Sequence, residues 1–324
     1  MVSVERCAWL APILADFPPI GYVGIHLTFG EQTSKAFPMP VAPSFFFPWE
    51  FSPTILLACV SALGFYLRGL HVRQRVGIRD GMLRPLAFVL GVVLIYVVMQ
   101  THYDYLSQHM FFVHRAQHLV LHHLGPFLIM IAAPQPVLAS ALPTGMYTNL
   151  LLPAWRYPLT QRLYRVIQNP VLASLLFVGL IYFWLTPSIH FDAMLSADLY
   201  KAMNWSMVLD GLLFWYLILD PRTQQQGALL GYGTRIIVLW AIILPQIALG
   251  AYIGLSRSVL FDVYDVCGRA WPLSPITDQQ IGGLITWIPS SMMSAVAMLV
   301  VLRFWLRSEH PRTKSPSAEE AVAQ

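Results

Sequence analysis

Three histidines, His114, His118 and His122, recur at intervals of four inside the stretch THYDYLSQHMFFVHRAQHLVLHH at residues 101–123. On a helix of about 3.6 residues per turn each step of four drifts by only some 40°, so the three imidazoles stack on one face. Two imidazoles at that spacing can hold one metal ion. His109 and Met110 place a further imidazole and a thioether just ahead of the stack. Met99, Met194, Met203 and Met207 fall near the corresponding ends of other apolar segments, and soft thioethers select Cu(I) among biological metals. The three cysteines, Cys7, Cys59 and Cys267, form no close pair, which excludes a CxxC redox or metal motif and a disulfide scaffold. The metal chemistry expected is therefore copper on His114, His118, His122, His109 and Met110. The competing reading makes these interfacial histidines that bond headgroups or water. His123, about 100° around the helix from His122, reads as a packing or interfacial residue. His190 and Asp192 read as a solvated loop pair, and the tryptophans as interfacial belt residues without chemistry.

Asp210 is the second polar outlier, seven residues into an apolar segment, where a carboxylate is costly unless paired. Its depth matches that of His122 at about 1.5 Å per residue. The expectation is that the segments carrying them pack together. Asp210 would then accept a hydrogen bond from an imidazole of the stack and fix its tautomer, as supporting carboxylates do at metal sites. A hydrogen-bonded packing role beside Gly211 is the alternative.

The elements that must position these groups are membrane spans. Of 324 residues 56% are hydrophobic and 11% charged, against roughly 25% charged in soluble domains, which excludes a soluble enzyme. A span needs about 20 mostly apolar residues. Residues 51–67, 85–103, about 114–134, 166–191, 202–219, 236–256 and 279–302 qualify. The expected fold is thus all-α, a polytopic bundle of about seven spans. Its domains would be an extracytoplasmic segment 1–50, a membrane domain 51–307 and a disordered cytoplasmic tail 308–324. Residues 7–29 are apolar but carry Asp16 and the Pro18-Pro19 pair; a signal or anchor helix and an interfacial segment both remain open there.

Seven alternating spans put fourteen of the twenty Lys and Arg residues on one side and six on the other. Cytoplasmic loops are the basic ones, so the N-terminus is expected outside and the C-terminus inside. Ten of the sixteen acidic residues fall on the outer face, which suits a cationic ligand.

The stretch His114-Arg115-Ala116-Gln117-His118-Leu119, running on to Gly125-Pro126-Phe127-Leu128 and Ala132-Ala133-Pro134, resembles the HMxQHLLL…APPLL…GAP pattern of CtaG-type cytochrome c oxidase assembly factors. The run from Asp278-Gln279-Gln280 through Gly282-Gly283-Leu284 to Trp287-Ile288-Pro289 resembles their DQxxGGLxMWIP segment. Tyr66-Leu67-Arg68-Gly69 and Gly211-Leu212-Leu213-Phe214-Trp215 fit the same family. The resemblance implies a seven-span protein of the cell membrane that helps mature the copper centres of haem–copper oxidases. It favours His114 and His118 as ligands, with Asp278 a further site residue. Arg115 stands where the family usually has Met, and Asn204 where it often has His, a loss that His122 or Met207 could make good. The expected function is non-enzymatic: copper bound near the outer face and handed to a haem–copper oxidase subunit, or received from a periplasmic donor. The lipid bilayer is its environment, no nucleic acid is involved, and a homodimer is allowed. A haem-binding membrane cytochrome would draw histidines from two facing helices, and a metal or proton transporter would continue polar residues to the cytoplasmic side; both are the alternatives.

Overall fold

The protein is described by a computed structural model covering residues 48, 50–78 and 81–309. Residues 1–47 and 49 of the expected extracytoplasmic segment, with Cys7 and His26 among them, and the tail from His310 onward lie outside these residues. The described chain is helical, with one isolated bridge between Pro48 and Thr101 and no strand. The principal helices are α1 (Pro53–Arg75), α2 (Leu83–Gln100), α3 (His102–His109) and α4 (Phe111–His118), the last continued by a π-helical turn, Leu119–Leu124, into α5 (Gly125–Ile131). Next come α6 (Gln135–Ala141), α7 (Pro158–Ile167), α8 (Pro170–Trp184) and α9 (Pro187–Leu195). The last three are α10 (Ala197–Ile218), α11 (Tyr232–Leu255) and α12 (Pro275–Glu309). Short helical turns fill residues 144–156.

Four of these, α1, α2, α11 and α12, are long and apolar enough to cross a membrane. Two bent pairs bring the number to six if each is one span: Phe111–Ile131 with α6, bent by 72°, and α7 with α8, bent by 61°. The remaining expected span, the fifth at 202–219, is α10, a helix of 22 residues. It does not reach the same apolar measure, because Asp198, Lys201, Asn204 and Asp210 lie along it. Apolar side chains such as Leu57, Leu255 and Leu299 project from the bundle with more than half their surface free, as lipid-facing positions do, while backbone polar groups are satisfied within helices.

The span expected at 166–191 is divided. Pro170 opens α8, with Asn169 accepting hydrogen bonds from the amides of Val171 and Leu172. α8 ends at Trp184, and Pro187 opens the separate helix α9. Proline cannot donate to the preceding turn but suits a helix start, so hydropathy alone ran these elements together. The break matters because α9 carries His190.

Close backbone approaches hold the bundle. A Cβ on Gly283 would lie 2.4 Å from the amide nitrogen of Gly254, and one on Gly250 would lie 2.6 Å from the Trp287 side chain. Gly250 and Gly254, four apart on α11, therefore seat α12 directly, the small-residue packing that replaces the hydrophobic drive inside lipid. Gly69 of α1 leaves no room for a Cβ beside the Val137 carbonyl of α6, and Tyr66 stacks on Phe88 at 3.8 Å.

Candidate metal centre

The histidine-bearing helix α4 is pinned at its start by a residue far along the chain. Asp278, fully buried in the first turn of α12, accepts hydrogen bonds from the amides of Phe111 (3.0 Å) and Phe112 (2.8 Å). Those amides are free donors of a helix N-terminus, and a carboxylate there also meets the positive end of the helix dipole. Its charge is further matched by an ion pair with Arg269. Both oxygens of Asp278 are thus spent on holding α4. Gly282, one turn on, makes room for the Phe111 ring. Thr286 accepts a hydrogen bond from Nε of Arg115 at 3.0 Å, and Gln279 bonds the loop after α11 through the Leu260 amide and the Ser258 carbonyl. Asp278, Gly282 and Thr286 of α12 are therefore a cradle for α4, while Gln279 and Gly283 face α11 and the loop after it.

Within that cradle His114 and His118 stack with ring centroids 4.3 Å apart. His114 is fully buried and neither ring nitrogen makes a hydrogen bond. His118 is held at two longer contacts: Nδ1 receives Nη1 of Arg115 at 3.4 Å, and Nε2 donates to Oδ1 of Asn204 at 3.3 Å. Asn204, which by the resemblance stands in for a histidine, so reaches the stack directly.

His190 is not a solvated loop residue. It is 1% exposed and stands edge-on to His114, with centroids 5.1 Å apart. Its Nδ1 donates to the Trp184 carbonyl at 3.1 Å and its Nε2 accepts from the Tyr264 hydroxyl at 3.0 Å. Burial pushes its pKa down to about 3, the Trp184 carbonyl opposing the shift and Arg115 adding to it, so the ring is a neutral wall with both nitrogens used. Pro187, by ending α8 and turning α9 inward, is the signal that could have placed it.

The π-helical turn changes the lower half of the stack. An i→i+5 turn holds more than four residues, so positions i+4 and i+5 fall on either side of position i. His122 and His123 accordingly both line a cavity with His118, their own centroids 5.0 Å apart. His123, expected to point away, is 2% exposed with neither nitrogen bonded. The cavity measures about 10 Å³, with Met207 and Arg115 also on its wall, room for about one water or ion. Nε2 of His122 lies 2.9 Å from Oδ2 of Asp210, the pairing expected from their matched depth. Gly211 allows it: a Cβ there would stand 2.5 Å from the His122 carbonyl oxygen. The Trp215 indole donates to that same carbonyl at 3.2 Å, so this tryptophan belongs to the interior.

His109 and Met110 do not join the stack. Nδ1 of His109 donates to the Tyr105 carbonyl at 2.8 Å, and its ring lies on Tyr105. Met110 is buried against Val113 and Ala270. The chain kinks between α3 and α4 at Met110, whose extended backbone ends the one helix and opens the other. Among the described residues no group of three or more His, Cys, Asp or Glu side chains is gathered as a metal cage.

Beside the stack Asp104 binds three helices together, accepting from Gln108 (2.9 Å), Gln117 (2.8 Å) and Tyr200 (2.7 Å). Burial raises its pKa to about 6 against the pull of those three donors. It lines a cleft of about 50 Å³ with Glu50, Met99, Lys201 and Asn204.

The model of the family described as cytochrome c oxidase caa3 assembly factor (Caa3_CtaG) matches residues 64–308. The chain belongs to this family. The matched region of this caa3 assembly factor family member contains α4, the π-helical turn, Asp210 and the α12 cradle. The chain is also 26% identical over 278 residues to an uncharacterised protein of Mycobacterium leprae, covering 82% of this chain and 40% of that one. It is 24% identical over 273 residues to uncharacterised proteins of Mycobacterium bovis and Mycobacterium tuberculosis, covering 81% of this chain and 40% of each. The caa3 family member thus spans about 40% of the length of these relatives. No solved structure matches it.

Proposed function

We propose that this member of the caa3 assembly factor family is a non-enzymatic assembly protein that carries Cu(I) as cargo on His114 and His118 for delivery to a haem–copper oxidase. The observation that carries the reading is His114: a fully buried imidazole whose nitrogens close no normal hydrogen bond, with the Ser107 backbone its polar neighbour, 4.3 Å from a second imidazole. Buried polar groups without partners are rare in folded chains, and a ligand explains this one. The donor set fits Cu(I), which accepts few, neutral, soft or imidazole ligands, better than zinc, which takes four and favours thiolates. His118 contributes through contacts of 3.3 and 3.4 Å, long enough to exchange for a metal bond. Cargo must leave, and a site of two ligands beside the Arg115 cation releases its ion more readily than a closed cage.

On this reading seven spans place the N-terminus outside and the C-terminus in the cytoplasm, α10 being the fifth of them. The cleft lined by Glu50, Met99, Asp104 and Asn204 would open toward the outer face and lead to His118 through Asn204. Asp278 supports the site by fixing α4, and Asp210 by orienting His122. Client contacts, a periplasmic copper donor and a homodimer belong to the same proposal. The test is Cu(I) titration of the purified chain against a chromophoric chelator. Wild type is expected to retain Cu(I), and His114→Ala/His118→Ala to lose the equivalent held by that pair while staying folded. Equal retention by the double variant, or stoichiometric zinc with no Cu(I) uptake under reducing conditions, refutes the reading.

A further inference from the structure

The groups left without a role by that site lie one turn deeper. His123 is 2% exposed with two unbonded ring nitrogens, and His122 has its Nδ1 unbonded while its Nε2 meets Asp210. The amide of Gln246, 1% exposed, faces His123 without closing a normal hydrogen bond to it. Leaving several buried polar atoms unpaired costs about 1–3 kcal/mol each, a cost a fold keeps where a ligand or water removes it. The cavity between His118, His122, His123 and Met207, at about 10 Å³, is the gap in an otherwise continuous column of rings. The centroid separations are 5.1 Å from His190 to His114, 4.3 Å from His114 to His118 and 5.0 Å from His122 to His123.

We propose that this cavity is a second, interior Cu(I) station, held by His122 Nδ1, His123 and the Met207 thioether, so that the histidine column passes copper between two sites rather than holding it at one. The station rests on the Cu(I) reading of His114 and His118. Its own grounds are separate. A carboxylate on Nε2 of His122 orients the ring, as supporting carboxylates do at metal sites, and leaves Nδ1 as the nitrogen that can face a metal. The π-helical turn brings two consecutive histidines to one cavity wall, and such turns recur at functional sites. Met207, 1% exposed on α10, supplies the sulfur that the outer pair lacks and that favours Cu(I). Arg115, on the wall between the stations, sets a positive charge against long residence at either. Binding is a ligand exchange, with no change in the metal's oxidation state.

The experiment is Cu(I) titration of the full-length apo protein in detergent, read by a competing chelator and by X-ray absorption at the copper edge. Wild type is expected to take two equivalents, one with a sulfur neighbour. Met207→Leu, a volume-conserving change, should remove the sulfur signal and weaken one equivalent by about tenfold or more, a loss within the range seen when metal-site supports are removed. His114→Ala/His118→Ala should keep the sulfur-bearing equivalent. A single equivalent without sulfur and indifferent to Met207→Leu overturns the interior station and leaves the outer site standing. So does loss of the sulfur signal together with the outer pair. A wild type that takes no Cu(I) overturns both.

Discussion

Replacing Asp278 with alanine separates a residue that holds a helix from one that holds a metal. The wild-type carboxylate accepts from the amides of Phe111 and Phe112 and pairs with Arg269. Losing a helix N-terminal acceptor costs about 0.5–2 kcal/mol. Breaking a buried ion pair costs about 3–5 kcal/mol when the surviving charge has no other partner. Arg269 keeps one, Asp265 at 2.7 Å, but that carboxylate is 44% exposed and screened, so only part of the loss is recovered. The expected destabilisation is about 3–4 kcal/mol in total, or a fall of roughly 6–16 °C in Tm at about 2–4 °C per kcal/mol. Asp278→Asn keeps one carbonyl oxygen for a helix amide and should lose about half as much. Thermal unfolding in detergent gives the stability, and hydrogen exchange at Phe111 and Phe112 reports the cap. An unchanged Tm and unchanged exchange at those amides, with Cu(I) retention abolished, would refute the helix-holding role and make Asp278 a ligand.

Asp210→Asn should leave the fold intact and weaken Cu(I) retention by about 10–100-fold; unchanged copper with altered stability would reduce Asp210 to packing. The acid limb of stability should show two opposed groups. Asp104, with its pKa raised to about 6, binds more proton folded than unfolded between about pH 4 and 6, so its contribution falls as pH rises through that window. His190, lowered to about 3, binds less proton folded between about pH 3 and 6.5, so its contribution is lost as pH falls through it. Asp104→Asn removes the first slope, and its Tm should climb more steeply than wild type from pH 4 to 6; parallel profiles refute the assignment. Reporter fusions after Lys314 should be active only in the cytoplasm, and a periplasmically active alkaline phosphatase fusion there would overturn the seven-span orientation.

Composition and hydropathy made the helical, apolar character legible, and equal depth along two apolar segments was enough to pair His122 with Asp210. What the sequence hid follows from backbone events that periodicity does not register. A regular 3.6-residue repeat sends His123 away from His122, whereas the π-helical turn opposes both to His118. Hydropathy carried one span through 166–191, whereas Pro170 and Pro187 cut it and turned His190 onto His114. Asp278 was read as a site residue because it recurs in a family pattern; its long-range partners, two main-chain amides, leave no mark in a sequence. Glycines 211, 282 and 283 were visible only as motif letters, and their reason is the neighbour each would strike.

The π-helical turn at Leu119–Leu124 also divides one column of histidines into two rotational phases. Above it, the azimuth of His114 and His118 is dictated by α12 through Asp278, Gly282 and Thr286. Below it, the azimuth of His122 and Pro126 is dictated by α10 through Gly211 and Trp215. The two anchors are out of step by one residue, and the turn is the dislocation that absorbs the mismatch. Deleting Val120 alone would restore a plain α-helical repeat without touching a polar group. With both anchors kept it would leave His118 and His122 three residues apart instead of four, so the spacing of the column is set by a surplus residue that itself binds nothing.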